Sequence, residues 1–402
     1  MKNKKIGIIG LGKLGLPMMA AFISKDFDTF GFDVNKKLID LLRLGKSPYK
    51  EPGIQEIIDS DSKWNQRFFY DTESIVKTVD FLFLIVPTPT KGMIFDNSYI
   101  DTALNEIAKS VIKLNKEIIC VITSTLNPGD SDAFNKKLKV ATNNKIKLIY
   151  SPEFIALGSV LRDMLNPDIV LLGGSEDDAI DSIYNIYQAL YETFPEFHKL
   201  SFFEAETAKI AINTFITTKI SFANTIGLFI EKATGSRVSG QAVLNAVGGD
   251  SRIGRKYFKY GLSYGGPCFP RDNRALSAHL NSYGIKAWLP EATDQFNNDL
   301  ILHWINKIKS DSYDAMVIVG LAYKSGTDFT EESPMIKIGQ ALFKDIDIFF
   351  IDELIEEFAP FTKVCQDNLA IIGKYKKVLV LINYGCHKFD KENNIEIINI
   401  WN

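Results

Sequence analysis

Lys5-Ile6-Gly7-Ile8-Ile9-Gly10-Leu11-Gly12-Lys13-Leu14-Gly15 is the stretch whose reading decides the fold. Its first half is a short, near-continuous apolar run, the pattern of a parallel strand buried on both faces. Gly-x-Gly-x-x-Gly follows at once, and the chain then enters a helix. In that setting the first glycine permits a tight turn, the second lets the main chain approach a pyrophosphate, and the third allows close helix packing. The helix N-terminus offers a diphosphate its unpaired N–H groups and the positive end of its dipole. Asp33 ends the next apolar run, about 20 residues on, where a carboxylate bonds a ribose 2′-hydroxyl and repels a 2′-phosphate. The expectation is a dinucleotide site that takes NAD in preference to NADP. For the glycines alone, a turn in some other α/β fold is the competing reading.

Outward from this point, short apolar runs alternate with helical patterns through about residue 195, the signature of a parallel sheet. Strands are expected at Lys5–Ile9, Thr29–Asp33, Phe81–Val86, Ile118–Thr123, Leu148–Tyr150 and Ile169–Leu172, with helices such as Asn35–Leu44 and Tyr99–Leu114 between them. From Glu204 to Lys232 few breakers occur, and one long helix of about 40 Å is expected. Its apolar stripe needs a cover, from the flanking domains or a second subunit. Gly235–Asp272 is glycine-rich and aromatic, with a short helix at Gly240–Val247, and reads as an ordered functional loop. After a helix around Leu300–Lys309, a second α/β pattern places strands at Ala315–Val319, Ile346–Ile351 and Lys377–Ile382 and a helix near Pro334–Phe343. The chain is therefore expected to be α/β throughout: an N-terminal Rossmann-type NAD domain (1–198), a central long-helix dimerisation region with a cysteine loop (199–300), and a smaller C-terminal Rossmann-like domain (301–402).

Composition excludes several classes. The 402 residues are 46% hydrophobic and 24% charged with a net charge of −3, which gives no broad attraction to nucleic acid or anionic membrane. Cys120, Cys268, Cys365 and Cys386 form no CxxC pair, and His198, His279, His303 and His387 have no ligand spacing, so neither a disulfide framework nor a metal site is expected. Lys2, Lys4 and Lys5 before an apolar run superficially resemble a secretory signal, but Gly10, Gly12, Lys13, Gly15 and Pro17 break the run. No apolar stretch reaches the ~20 residues of a membrane span. The reading expects a cytoplasmic protein.

Several constellations could carry chemistry. Pro87-Thr88-Pro89-Thr90 and Ser124-Thr125 through Pro128-Gly129 each follow a predicted strand, at the carboxyl ends where doubly wound sheets bind ligands. Taken alone each is also an ordinary turn. Lys209 and Asn213, four apart on the long helix, share a face and could stabilise an oxyanion; a solvated polar face is the plain alternative. Gly265-Gly266-Pro267-Cys268-Phe269-Pro270-Arg271-Asp272 puts a cysteine just ahead of Pro270, at the start of a helix running toward Leu280. A thiol at a helix N-terminus is more readily ionised. A buried structural cysteine is the competing reading there, and the one kept for Cys120 and Cys365. Cys386, beside His387, is a minor alternative nucleophile.

With these segments assembled, the chain resembles the UDP-glucose/GDP-mannose dehydrogenase family over nearly its whole length. The resemblance rests on Gly10–Gly15, Val86–Thr90, Ser124-Thr125-Leu126-Asn127-Pro128-Gly129, Ser151-Pro152-Glu153-Phe154, Lys209 with Asn213, Ser251-Arg252-Ile253-Gly254, the Cys268 segment and Gly320-Leu321-Ala322-Tyr323-Lys324, in that order. It implies a four-electron oxidation of a sugar primary alcohol with two NAD, through a thiohemiacetal and a thioester on Cys268. It further implies that Lys209 and Asn213 stabilise the oxyanion, that Asp272 and Thr125 handle water and protons, and that Glu153 is the acid of thioester hydrolysis. Cofactor contacts would be Gly10, Leu11, Gly12, Lys13, Leu14, Gly15, Asp33, Lys36, Pro87, Thr88, Ser124, Thr125 and Arg271. Substrate contacts would be Glu153, Phe154, Ile155, Lys209, Asn213, Arg252 from across a dimer, Tyr264, Gly265 and Lys324. The implied partners are a nucleotide sugar and a second copy of the chain.

The sequence departs from the family pattern in places. Ala156 and Leu157 stand where many relatives have an arginine and a second acid. Glu331, before Glu332-Ser333-Pro334, stands where many have an arginine, and Arg271 where many have a lysine. Glu153-Phe154 favours UDP-glucose, because relatives acting on N-acetylated sugars often carry an arginine after that glutamate. The same chemistry on a UDP-N-acetylhexosamine or GDP-mannose is the alternative substrate reading. A two-electron hydroxyacid-type dehydrogenase and a non-catalytic nucleotide-sugar or NAD sensor are alternatives of other classes.

Overall fold

The computed structural model describes residues 4–155, 158–365, 372–385 and 394–401. Cys386, His387, Ala156 and Leu157 lie outside the described residues. The chain divides into two compact units, Met1–Lys209 and Ile210–Asn402.

In the first unit the strands are β1 (Lys5–Ile9), β2 (Asp28–Phe32), β3 (Phe68–Phe69), β4 (Phe81–Leu84), a small antiparallel hairpin β5 (Thr90–Lys91) and β6 (Ile94–Phe95), then β7 (Ile118–Ile122), β8 (Ile146–Tyr150), β9 (Ile169–Gly174) and β10 (Glu196–Leu200). Eight of them form one sheet in the order β10-β9-β8-β7-β4-β1-β2-β3. Pairing is parallel from β3 to β8 and turns antiparallel once, between β8 and β9. Alternate residues serve opposite faces. Ile6, Ile8, Phe81 and Phe83 enter one buried cluster, and Ile9, Leu82 and Leu84 the other. That double burial is why these strands read as unbroken apolar runs. The strand order reverses at β1, so the crevice at the carboxyl ends of β1 and β4 is the switch point where such sheets hold ligands.

The second unit has its own parallel sheet: β11 (Ala315–Val319), β12 (Asp347–Ile351), β13 (Thr362–Lys363), β14 (Val378–Ile382) and β15 (Ile395–Asn399), in the order β13-β12-β11-β14-β15. Here too Leu379 and Leu381 face one cluster while Val378, Val380 and Ile382 face another. Helices Arg237–Val247, Phe269–Ser282 and Trp288–Ser310 precede this sheet. The long helix runs from Phe202 to Thr234, 33 residues, from the first unit into the second. Among the described residues no helix is long and apolar enough to cross a membrane, and no cluster of His, Cys, Asp and Glu could hold a metal ion.

Candidate active site

The three fingerprint glycines answer to different demands. Gly10 has φ +90°, and a Cβ there would lie 2.1 Å from the Ile85 carbonyl oxygen. A Cβ on Gly15 would lie 1.8 Å from the Gly10 oxygen. Both are glycine because the protein's own backbone leaves no room. At Gly12, by contrast, a Cβ would meet nothing within 4 Å. No atom of the described residues requires that glycine; bare backbone facing open space, at the start of helix Gly15–Ser24, fits the diphosphate of a dinucleotide. Asp33 is fixed beside it, accepting from Leu11 N at 2.8 Å and from Asn35 N at 2.8 Å. Each carboxylate oxygen keeps a further lone pair for a ribose hydroxyl. Lys13 and Lys36 are exposed at the rim.

The turns after β4 and β7 are pinned to each other. The Ser124 hydroxyl donates to Val86 O at 2.7 Å and accepts from Val86 N at 3.0 Å. Pro87 is exposed, Thr88 buried and Thr125 half-buried. The loop after β8 carries Glu153, Phe154 and Ile155. Lys209 Nζ donates to the Glu153 carbonyl at 2.5 Å and sits 4.4 Å from the Phe154 ring centroid, a charge held over an aromatic face. The lysine is 8% exposed. Burial raises the Glu153 carboxyl and the Lys209 ammonium partly offsets it, leaving its pKa at about 7. Tyr191 lines the same small cavity, and the Tyr187 hydroxyl is bonded to Ser151 Oγ behind it.

Glu206 escaped the sequence reading. It is fully buried, and its carboxylate accepts from Gly129 N at 2.6 Å and Ser131 N at 2.7 Å. It therefore caps the N-terminus of helix Asp130–Thr142, directly after the Ser124–Gly129 turn. Burial raises its pKa to about 7 against the lowering effect of those hydrogen bonds. Its partners lie 77 and 75 residues earlier in the chain, and no local pattern in the sequence marks them.

In the second unit Cys268 is exposed, a non-disulfide cysteine at the N-cap of helix Phe269–Ser282, with Pro270 in the first turn. Asp272 is fully buried one turn on. Its main-chain N donates to Cys268 O at 2.8 Å, and its carboxylate accepts from Asn213 Nδ2 at 2.6 Å and Arg271 Nε at 3.0 Å. A buried charge needs such partners. Four of the expected residues, Cys268, Arg271, Asp272 and Asn213, thus form one hydrogen-bonded cluster. The approach to the thiol is equally constrained. A Cβ on Gly265 would lie 2.4 Å from Glu332 O, and one on Gly266 2.6 Å from the Tyr323 ring. Gly266 N donates to Glu331 O at 3.1 Å. Glu331 thus contributes its carbonyl to this loop while its side chain is exposed, and Glu332, at φ +53°, pairs with Arg274 and Lys337. Burial, then the charges of Cys268 and Tyr257, push the Tyr323 phenol up to about 12.

Other expected residues stand apart from this cluster. Arg252 is exposed and bonded to Asp250 of its own loop, at 2.7 and 3.0 Å. Tyr264 is 5% exposed, its main chain held by Asn297 and its hydroxyl 3.5 Å from Asn273 Nδ2. Lys324 is half-buried, 5.9 Å from the Tyr323 ring centroid. Cys120 is buried, and desolvation drives its thiol up to about 12.

The model of the UDP-glucose/GDP-mannose dehydrogenase family NAD binding domain matches residues 4–194, and that of the same family's central domain matches residues 203–299. A UDP-glucose 6-dehydrogenase of Haloferax volcanii is 30% identical over 350 residues, covering 84% of this chain and 80% of the relative. A GDP-mannose 6-dehydrogenase of Pseudomonas syringae pv. tomato is 28% identical over 366 residues, covering 88% and 81%. The solved structure of a UDP-glucose dehydrogenase from Pyrobaculum islandicum superposes with a TM-score of 0.85 at 26% identity, covering 95% of this chain and 90% of that one.

Proposed function

The chain belongs to the UDP-glucose/GDP-mannose dehydrogenase family, and from that premise we propose that it oxidises the C6 alcohol of UDP-glucose to the carboxylate of UDP-glucuronate through a covalent intermediate on Cys268. The observation that carries the reading is an exposed thiol at a helix N-terminus with a buried, hydrogen-bonded carboxylate, Asp272, one turn on. The family's cofactor, NAD, supplies the hydride acceptor when bound at Gly10–Gly15 and Asp33, one molecule for each two-electron step. Pro87, Thr88, Ser124, Lys36 and Arg271 are proposed to complete its site.

The chain's own groups do the rest. Lys209 and Asn213 offer an ammonium and an amide to the alkoxide that develops on the sugar oxygen. Cys268 Sγ adds to the aldehyde carbon as the thiol proton passes to the carbonyl oxygen, giving a thiohemiacetal; loss of hydride from that carbon and of the hydroxyl proton to solvent leaves a thioester. Glu153, poised near neutrality, takes a proton from the water that attacks the thioester, with Asp272 and Thr125 orienting it. The carbon–sulfur bond breaks, the thiolate returns and the carboxylate departs. Phe154, Ile155, Gly265, Tyr264 and Lys324 are proposed to shape the substrate site, and Arg252 to serve the sugar nucleotide of a second copy. The long helix exposes Phe215, Phe222 and Phe229, seven residues apart and 66, 51 and 64% accessible. A stripe of that kind calls for a cover, and we propose a homodimer.

The test is NADH release from UDP-glucose, UDP-N-acetylglucosamine, UDP-N-acetylmannosamine and GDP-mannose in parallel. UDP-glucose should react fastest and yield two NADH per sugar. Turnover of another sugar with UDP-glucose silent overturns the substrate assignment; one NADH per sugar in every arm overturns the four-electron chemistry.

A further inference from the structure

The segment Gly261–Tyr264, which leads into the cysteine loop, belongs to no strand, yet it is buried: Leu262 is 3% and Tyr264 5% exposed. Buried main-chain groups must find partners. Here two side chains supply them. Asn224 Oδ1 accepts from Gly261 N at 2.9 Å while its Nδ2 donates to Leu262 O at 2.9 Å. Asn297 Oδ1 accepts from Tyr264 N at 2.8 Å while its Nδ2 donates to Tyr264 O at 2.9 Å. The second pair reproduces what a facing residue gives in an antiparallel ladder, one N–H and one C=O satisfied together. Asn224 and Asn297 are 1% and 4% exposed, so water does not compete. A carboxylate would lack the donor and an aliphatic side chain would lack both groups; only an amide satisfies the pattern. Downstream the chain is held again, by Gly266 N on Glu331 O and Asp272 N on Cys268 O.

We propose that Asn224 and Asn297 are positioning residues for the Cys268 thiol, acting as substitute strand partners that fix the arm from which the thiol projects. The inference rests on the reading of Cys268 as the nucleophile. It has a specific kinetic consequence. The first oxidation of the alcohol does not use the thiol, whereas capture and second oxidation of the aldehyde do. A displacement of about 1 Å at a reacting atom costs on the order of 100-fold. Because Tyr264 also belongs to the proposed substrate site, loosening the arm should raise the KM for sugar, yet at saturating sugar it should spare the first hydride step and let aldehyde escape, which a general loss of structure would not do.

The experiment uses the full chain with Asn224→Asp and Asn297→Asp, close isosteres that keep the acceptor and remove the donor. Each is supplied with the nucleotide sugar that the wild type turns over, NAD and a hydrazine that traps aldehydes, beside the wild type and Cys268→Ala. The expected result is NADH per sugar falling from two toward one in both asparagine variants, with trapped aldehyde appearing and the single-turnover first step unchanged within about threefold. If Cys268→Ala still gives two NADH per sugar, the nucleophile assignment itself fails. If Cys268→Ala stops at the aldehyde while both asparagine variants yield two NADH at the wild-type rate, or lose both steps in equal proportion, the positioning role is overturned and the thiol mechanism stands. Should the variants not fold, amide hydrogen exchange of the wild type decides. Gly261 and Tyr264 N–H protected like the interior of helix Trp288–Ser310 supports the clamps; exchange at the rate of an open loop overturns them.

Discussion

Glu153 is a carboxyl group held between two opposing effects, burial that favours its neutral form and an ammonium that favours its charge, and burial prevails. Its pKa of about 7 against 4.5 for an ordinary glutamate gives a definite sign. Between those two values the unfolded chain ionises the group while the folded chain keeps it neutral, so this residue costs stability as pH rises through the window. Glu153→Gln should therefore gain thermal stability relative to wild type as pH goes from about 4.5 to about 7. The same variant should slow acid release by about 10²–10⁴-fold and accumulate a thioester on Cys268, visible by intact mass. Unchanged hydrolysis with the same pH profile would remove Glu153 from the chemistry. The fingerprint glycines and Asp33 stood out because Gly-x-Gly-x-x-Gly between a strand and a helix, with an acid ending the next strand, is a recurring pattern, although Gly10 is constrained by the distant Ile85. Glu206, Asn224 and Asn297 were not. Asn224 meets Gly261 across 37 residues and Glu206 meets Gly129 across 77, and no local pattern announces such a pairing.

At the scale of elements, the buried strands were readable and their ends were not. The apolar runs extend to Asp33, Val86 and Thr123, yet the ladders stop at Phe32, Leu84 and Ile122. The residues beyond belong to the crevice, where main-chain groups serve turns rather than neighbours. The edge strands β10 and β15 were missed because they are only half covered and mix charged with apolar residues, Glu196-Phe197-His198-Lys199-Leu200 being the clearer case. The helix expected around Leu300 opens already at Trp288, with Pro290 in its first turn and a run of polar residues concealing its period. The helix that follows the Ser124–Gly129 turn, in contrast, depends on a distant acid. Glu206→Ala leaves the N–H groups of Gly129 and Ser131 buried without their acceptor and should lower unfolding free energy by about 1–2 kcal/mol near pH 4.5, a deficit that shrinks as pH rises toward 7 because the buried carboxyl then costs the wild type stability. Chemical denaturation measures this, and an unchanged midpoint would show the cap to be dispensable.

For the whole molecule, the alternation of strand and helix in each half was enough to foresee two mainly parallel sheets, because crossover connections leave few other arrangements, but not the antiparallel pairing of β8 with β9. What composition could not say is which surface meets a second copy. The surface proposed for that contact is the stripe of exposed aromatic area that Phe215, Phe222 and Phe229 make on one long helix. Phe222→Asp combined with Phe229→Asp should convert the proposed dimer into monomers in sedimentation velocity, since a charge on that face opposes association. A wild type that sediments as a monomer, or a double variant that remains dimeric, would assign the stripe elsewhere.

The central claim is that one thiol retains the aldehyde until its second oxidation, and the product balance of Cys268→Ala with UDP-glucose and NAD addresses it most directly. The account predicts two NADH and one UDP-glucuronate per sugar for wild type, and no net acid from the variant while NAD still binds with unchanged affinity. Two NADH per sugar at the wild-type rate from Cys268→Ala would contradict it.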